Sequence, residues 1–229
     1  CPHPPRGTIT AMAPVTDARR EREGLCDTAL AVGPDAPTLC RGWDVRDLLV
    51  HLLVRDSRPD VALGSAVPPL RGRSELVLSR LREQPFAQLV EGVRSGPRGP
   101  LRLSGVDELV NRAEFFVHHE DIRRAQDDWR PRRLPGAETH ALWRTVRLMG
   151  RVAYRQAGTG VVLVTPDGPR AVVRSAEVAV SLTGEPGDLL LHAFGRRSRA
   201  RVQVGGQPAA VQRFLDRYPA DDDPLGEPG

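Results

Sequence analysis

The chain has 229 residues and a net charge of +4, and 40% of its residues are hydrophobic. This length and composition are typical of one large or two modest globular domains, and they exclude a small disulfide-stapled fold and a fully disordered chain. All 33 cationic side chains are arginines, and they are mixed with acids instead of forming blocks, which argues against a nucleic-acid-binding groove.

Helical spacing of apolar residues dominates the first 158 residues. We expect residues 1–13 to be a disordered extension, in which Met12 is a candidate translation start. The predicted helices that follow are 16–32, 45–56 with Asp44 as its cap, 74–94 with a break at Pro85, 107–125 with Asp107 as its cap, and 136–158. The second of these helices is apolar on nearly every side, so it should be buried.

The pattern changes to short β-type segments after residue 158. β-branched residues lie on both sides of the turn sequence Pro166-Asp167-Gly168, which predicts a hairpin of strands 160–165 and 170–175. The remaining predicted elements are strands at 177–184 and 199–206 and helices at 184–196 and 208–218. The chain should therefore consist of a helical bundle domain over residues 14–158, a small α+β domain over 159–218 and a disordered acidic tail over 219–229.

The cysteines and the apolar runs indicate a soluble protein of the cytoplasm. Cys1, Cys26 and Cys40 have no CxxC spacing, and such an odd set is typical of reduced structural thiols. No apolar run approaches the roughly 18 residues that a membrane span needs, so we expect no membrane partner.

The segment NRAEFFVHHEDIRRA contains the side chains that best suit metal binding. Glu114, His118 and Asp121 follow one another at steps of four and three residues, so they project from the same face of one helix. His51 stands alone in the apolar second helix and can supply a further ligand from a facing helix. Two imidazoles and one carboxylate would leave a divalent ion with an open coordination position, as in a catalytic site.

Ordinary structural roles remain open for these residues on spacing alone. A glutamate and a histidine one turn apart often form a solvated contact, and a buried histidine is often only hydrogen-bonded within a core. His119 and Glu120 point away from this face, Glu120 towards solvent, so we leave both out of the ligand set. Asp47, one turn before His51, is expected either to orient that imidazole or to serve as the acid of the helix cap.

Three separated motifs resemble a known family. They are GWDVRDLLVHL at 42–52, AEFFVHHEDIRRA at 113–125 and GEPGDLLLHAFGRR at 184–197. In this order and at these separations they resemble the mycothiol-dependent maleylpyruvate isomerase family, which belongs to the DinB-like metal-binding bundles. Longer segments around the first two motifs resemble an uncharacterised actinobacterial branch described only as metal-binding proteins. The resemblance spans residues 14–215.

The resemblance implies a DinB-like four-helix bundle followed by a small α+β domain similar to sterol-carrier folds. It also implies a divalent metal, usually zinc, held by the residues that match His51, Glu114 and His118. In the isomerases the arginine of a Gly-Arg motif assists catalysis, and its match here is Arg196. Because Arg196 stands beside Arg197, a solvated surface role stays open for it.

The leading functional hypothesis is a thiol-dependent isomerase or S-transferase. The metal would stabilise the thiolate of a low-molecular-weight thiol such as mycothiol, which would then add to a small electrophile. The alternatives are a non-catalytic metal- or ligand-binding module and a metal-dependent hydrolase in which Asp121 is the general base. A simple ion pair of Asp121 with Arg124 or Arg55 is also open. We expect a monomer or homodimer that binds neither nucleic acid nor membrane.

Overall fold

The computed structural model describes residues 17–57, 71–96 and 105–220. The elements in these ranges are α1 Asp17–Val32, α2 Val45–Ser57, α3 Arg71–Arg82, α4 Phe86–Ser95, α5 Gly105–Arg124, α6 Gly136–Ala153, β1 Gly160–Val164, β2 Arg170–Arg174, β3 Ala179–Thr183, α7 Pro186–Ala193, β4 Gln203–Gly205 and α8 Pro208–Arg217.

The prediction of a helix-rich chain with a small α+β part is confirmed. The predicted extension and the tail beyond residue 220 lie outside the described residues. Within the described ranges, no helix combines the length and the apolar character that a membrane crossing requires.

Two helix boundaries agree with the prediction, and a single residue determines each of them. The Asp44 carboxylate accepts a hydrogen bond from the backbone N–H of Asp47 at 2.8 Å, so Asp44 caps α2 as predicted. Pro85 separates α3 from α4, because a proline inside a helix removes a hydrogen bond and clashes with the preceding turn. The long helical stretch predicted there is therefore two helices.

Two other boundaries differ from the prediction. α5 already begins at Gly105, so Asp107 lies within its first turn instead of capping it. α6 ends at Ala153, before its predicted end. The helical spacing of apolar residues continues past that end because Tyr154 and Ala157, in the turn that follows, are themselves fully buried.

The four strands form one sheet in the order β2-β1-β3-β4. β1 is antiparallel to β2 and parallel to β3, and β3 is antiparallel to β4. The predicted turn between β1 and β2 is present, and Gly168 adopts there a φ of 108°, which favours glycine. The buried side chains of the sheet include Val161, Leu163, Val180 and Leu182.

α5 contributes side chains to two hydrophobic cores. One core joins α1, α2, α4 and α5, and includes Leu25, Leu48, Leu89, Phe115 and Ile122. The other joins α5 and α6 to the sheet, α7 and α8, and includes Phe116, Val146, Leu163, Leu190 and Phe214. The consecutive residues Phe115 and Phe116 therefore pack into different cores. α5 is the shared element of both, and the predicted domain boundary near residue 158 stays a prediction.

Candidate metal centre

Three donor side chains from α2 and α5 converge in the structure. They are His51 on α2 and, one turn apart on α5, Glu114 and His118; one donor atom of each lies within 4.8 Å of the other two. The rings of His51 and His118 meet edge to face with their centroids 5.3 Å apart. His118 Nε2 is 3.5 Å from Glu114 Oε2. The structure thus brings together the three predicted residues, and their role as metal ligands stays a prediction.

His51 lies on α2, and the other faces of this helix pack into the core. Leu48, Leu49 and Leu52 are fully buried in the core, whereas His51 remains partly exposed beside Trp43, with 5.1 Å between the ring centroids. Burial, and next the neighbouring charge of His118, lower the pKa of His51 to about 4. The His51 imidazole is therefore neutral at neutral pH, which is the form that coordinates a metal.

Asp121 contacts the other ring nitrogen of His118, Nδ1. Its Oδ2 is 3.0 Å from His118 Nδ1, and both side chains are buried. Burial opposes charge on both groups, but their hydrogen bonds outweigh it, so the pKa of His118 lies well above its usual value and that of Asp121 falls to about 2. With Nδ1 occupied, Nε2 faces Glu114, and a metal bound at Nε2 would displace the proton that the raised pKa keeps on this ring. A carboxylate in this position is a common means of orienting a metal-binding histidine.

Arg196 forms an ion pair with Asp121. Its Nε and Nη2 donate to the two carboxylate oxygens of Asp121 at 2.8 and 2.7 Å, and its Nη1 donates to the carbonyl of Phe194 at 2.8 Å. The Arg196 side chain is 4% exposed, so the solvated surface role that the sequence left open is wrong. The part in catalysis that the resemblance implies for Arg196 stays a prediction.

Cys40 is a neighbour of the centre that the sequence did not single out. Its Sγ lies 3.3 Å from Asp121 Oδ2 and 4.0 Å from His118 Nδ1, so these three residues form a second group of possible metal ligands. Arg196 Nη2 is 3.3 Å from the same Sγ, and this guanidinium would repel a cation there. The group that contains His51 and Glu114 suits a cation better.

No spacing rule could have selected Cys40, because it lies in the loop between α1 and α2. Long-range contacts position this loop: the backbone N–H of Leu39 donates to the carbonyl of Asp121 at 3.1 Å. Cys26 and Cys40 are both buried free cysteines, which agrees with the expected structural thiols.

Two predicted roles for acidic residues are wrong. Within the described part of the chain, the Asp47 carboxylate accepts a hydrogen bond from Arg82 Nε at 2.6 Å and makes none with His51. Asp47 therefore does not orient His51. Asp121 pairs with Arg196, whereas of the two predicted alternative partners Arg124 binds Glu120 and Asp188, and Arg55 binds Asp56 and Asn111.

The opposite face of α5 contains a buried charge cluster, which we call the α5 ion network: Glu21, Glu120, Arg124, Arg132 and Asp188. Glu120 was predicted to face solvent, but it is 1% exposed because Arg124 and Arg132 close over it with hydrogen bonds of 2.6 and 2.7 Å. His119 Nδ1 lies 2.8 Å from Glu21, and His119 Nε2 lies 2.8 Å from the Thr28 hydroxyl. Both ring nitrogens of His119 are thus occupied by α1.

Glu114 lies on the more accessible side of the centre. Its side chain is 24% exposed, against 3% for His118. Arg55 Nε is 3.6 Å from Glu114 Oε2, and Arg55 also donates to Asn111 at 2.9 Å. Burial raises the pKa of Glu114, but the hydrogen bond and charge of His118 and the charge of Arg55 outweigh it, so the net effect is a lowered pKa. The centre therefore has an ionised carboxylate on its more exposed side.

The fold and the candidate centre together define an α+β protein with two histidines and a carboxylate presented between two helices. Two solved structures are similar to it: a crystal structure of the mycothiol-dependent maleylpyruvate isomerase, at 16% identity, and one of a histidine-to-alanine mutant of that enzyme, at 17%. Each gives a TM-score of 0.53 and covers 84% of this chain and 92% of the other. The chain therefore has a maleylpyruvate isomerase-like fold, as the motifs predicted. No protein-family model and no curated protein matches it.

Proposed function

We propose that this protein is a metal-dependent enzyme that uses a low-molecular-weight thiol, such as mycothiol, to isomerise a small electrophile or to transfer the thiol to it. The convergence of His51, Glu114 and His118 donor atoms within 4.8 Å of one another is the observation on which the proposal rests. The likeness in fold to a mycothiol-dependent isomerase supports the choice of a thiol as co-substrate.

The three donor residues fit a borderline divalent cation, and zinc is the ion we propose. Two imidazoles and a carboxylate are a common ligand set for zinc in enzymes, and they leave a coordination position for a further ligand. A cation held there would stabilise the thiolate form of the co-substrate at neutral pH. His51 contributes a neutral imidazole, Glu114 an ionised carboxylate, and Asp121 fixes the ring of His118.

The proposed reaction is an addition followed by an elimination or by release. The thiolate sulfur forms a C–S bond to an electron-poor double bond, and the electron pair of that double bond moves to the conjugated carbonyl. Rotation about the resulting single bond and loss of the thiolate give the isomer. Protonation and release of the adduct give the product of S-transfer instead.

We propose that Arg196 acts in this reaction as a positioning residue, through Asp121. Its two hydrogen bonds hold the Asp121 carboxylate, which in turn holds His118. Arg196→Lys would keep the charge but lose the paired geometry. We expect it to lower kcat and metal affinity with little change in KM. A rise in KM with kcat unchanged would instead indicate that Arg196 contacts the substrate.

A metal-dependent hydrolase is less well supported, because it needs a general base beside the attacking water. Asp121 was the candidate, but its oxygens are engaged by His118 and Arg196. A carboxylate with a pKa of about 2 is also a weak base at neutral pH.

The finer architecture is also part of the proposal. We propose that α1, α2, α4 and α5 form a DinB-like four-helix bundle, since these four helices share one hydrophobic core. The sheet with α7 and α8 would form the second, sterol-carrier-like domain. The expected site of action is the cytoplasm.

Elemental analysis of the purified protein tests the metal assignment. We expect about one zinc or similar ion per chain in the parent protein and almost none in His51→Ala. Thr28→Ala is a matched control, because it removes a buried histidine partner on the opposite face of α5. A parent protein without stoichiometric metal, or a His51→Ala variant with unchanged metal, would contradict the assignment.

A turnover assay with mycothiol and maleylpyruvate, extended to other small electrophiles, tests the chemistry. Thiol-dependent turnover that is lost in His51→Ala is the expected result. A metal-loaded protein that neither turns over any electrophile nor gains thermal stability from mycothiol would favour the non-catalytic metal-binding module instead.

A further inference from the structure

A cavity of about 560 Å³ lies on the face of α5 opposite the candidate metal centre. Phe116, Glu120 and Arg124 line it, and their four-residue steps place them about half a turn away from His118. Segment 131–134 and the first turn of α7 form the other walls. A cavity of this size is typical of a small-molecule site, and the proposed function does not use it.

The charges that line the inner wall of this cavity balance, with Glu120 and Asp188 against Arg124 and Arg132. Arg124 donates to Glu120 and to Asp188 at 2.6 Å each, and Arg132 donates to Glu120 at 2.7 Å and to Glu21 at 2.9 Å. Each acid of the α5 ion network therefore already has an arginine partner. A bound molecule need not neutralise this wall, and these fixed side chains give the cavity a defined shape.

The mouth of the cavity, in contrast, has an excess of positive charge. Arg133 and Arg201 line it and are exposed, and neither has an ion-pair partner within the described ranges. Glu185 is the one lining acid there that also lacks a described partner. Two guanidinium groups against one carboxylate leave one positive charge.

Apolar groups lie beside this charge. The side chains of Leu134, Pro131 and Pro186 face the same cavity, and Phe116, which is 2% exposed, lies beneath the guanidinium of Arg132 at its wall. Such a combination of an apolar wall with a few charged groups is characteristic of sites for amphipathic small molecules. A single excess positive charge matches a monoanion better than a doubly charged phosphate.

We propose that this cavity is a second ligand site, which binds a small organic carboxylate. Its carboxylate lies between Arg133 and Arg201, and its apolar body lies against Leu134 and Pro131. This site is separate from the thiol and metal chemistry, since it lies across α5 from His51, Glu114 and His118. The proposal does not depend on the proposed function.

Binding of benzoate to the full chain, measured by calorimetry or ligand-observed NMR, tests the proposal, with benzamide as the uncharged probe of the same shape. We expect benzoate to bind at least about tenfold more tightly than benzamide, which is the loss expected for a charge-assisted hydrogen bond. Arg133→Gln with Arg201→Gln should weaken benzoate binding by about tenfold or more. Both side chains are exposed, so the thermal stability of this variant should be unchanged.

Two controls locate the binding. Arg147→Gln with Arg213→Gln removes the same charge from exposed positions outside the cavity, and it should leave benzoate binding unchanged. His51→Ala should also leave it unchanged, with or without metal, which separates this site from the metal centre. Absence of benzoate binding, equal binding of benzamide, equal loss in both arginine pairs, or loss in His51→Ala would overturn the proposal.

Discussion

The two faces of α5 present neighbouring histidines in contrasting surroundings. His118 shares its Nδ1 with Asp121 and turns its Nε2 towards Glu114, next to a second imidazole from His51. His119, one residue later, has both ring nitrogens engaged by Glu21 and Thr28 of α1. Both histidines are buried. Burial alone therefore does not identify a candidate ligand; what matters is whether a ring nitrogen faces further donor atoms.

The charges on the two faces differ in the same way. Glu114 belongs to the face of the candidate centre, and its carboxylate is partly exposed. Glu120 belongs to the opposite face, where it is 1% exposed and lies between arginines. We infer that the first face is available for a metal ion, whereas the buried ion pairs of the second face stabilise the fold. Four predictions test this division, from the largest expected effect to the smallest.

Replacing each of the adjacent histidines separates the two faces most strongly. His118→Ala should lower metal affinity by about a thousandfold or more, because it removes a proposed ligand whose donor atom lies within 4.8 Å of those of His51 and Glu114. His119→Ala should retain the metal and lose about 1–3 kcal/mol of stability, since Glu21 loses a buried hydrogen-bond partner. Metal titration and urea unfolding measure both effects. Equal loss of metal in the two variants would contradict the division.

Arg124→Met tests the α5 ion network. It leaves Glu120 and Asp188 buried without this partner, so we expect a loss of about 3 kcal/mol in the free energy of unfolding, with metal content unchanged. Arg123→Met is the matched control: Arg123 pairs with the same Glu120 but is 20% exposed, and its removal should cost about 0.5 kcal/mol. A loss of metal in Arg124→Met would show that the two faces are coupled.

The pH dependence of stability tests the carboxylate pair of Glu21 and Glu138 beside this network. Burial, and next the hydrogen bond and charge of Glu21, raise the pKa of Glu138 from 4.5 to about 7, against the attraction of Arg132 and Arg20. The native state keeps a proton that the unfolded chain loses, so this stabilisation is present below pH 4.5 and is lost as the pH rises to about 7. The parent protein should lose about 2 kcal/mol relative to Glu138→Gln across this window. Parallel stability curves for the two proteins would rule out the shift.

Asp47→Asn should have the smallest effect. The Asp47 carboxylate pairs with Arg82, which is 55% exposed, so we expect a loss of about 0.5 kcal/mol or less. Metal content should be unchanged, because Asp47 makes no hydrogen bond with His51 in the described part of the chain. A reduced metal affinity in Asp47→Asn would restore the orienting role that the sequence suggested.

Helical periodicity was sufficient to predict which side chains of α5 share a face. The steps from Glu114 to His118 and Asp121 follow from helix geometry alone, and they are together in the structure. Periodicity could not predict what covers each face. Glu120 is buried because Arg124 and Arg132 close over it, and no local pattern specifies where the segment containing Arg132 packs.

The partners of Asp121 were unpredictable for a related reason. The prediction offered Arg124, which is close in sequence, or Arg55 on a facing helix, but Arg196 is the arginine that binds Asp121, across 75 positions of chain. Cys40 reaches the same carboxylate from a loop that has no periodic pattern. Long-range packing alone determines such contacts. The helical residues of the candidate centre, in contrast, could be predicted from the pattern of each helix separately.

Anomalous diffraction at the zinc absorption edge, from crystals of the protein loaded with zinc, tests the central claim most directly. We predict one ion within about 2.0–2.2 Å of a nitrogen of His51, a nitrogen of His118 and an oxygen of Glu114. An ion bound instead by Cys40 and Asp121, or no ion beside His118, would contradict the claim that Glu114 and His118 of α5 form the metal centre with His51.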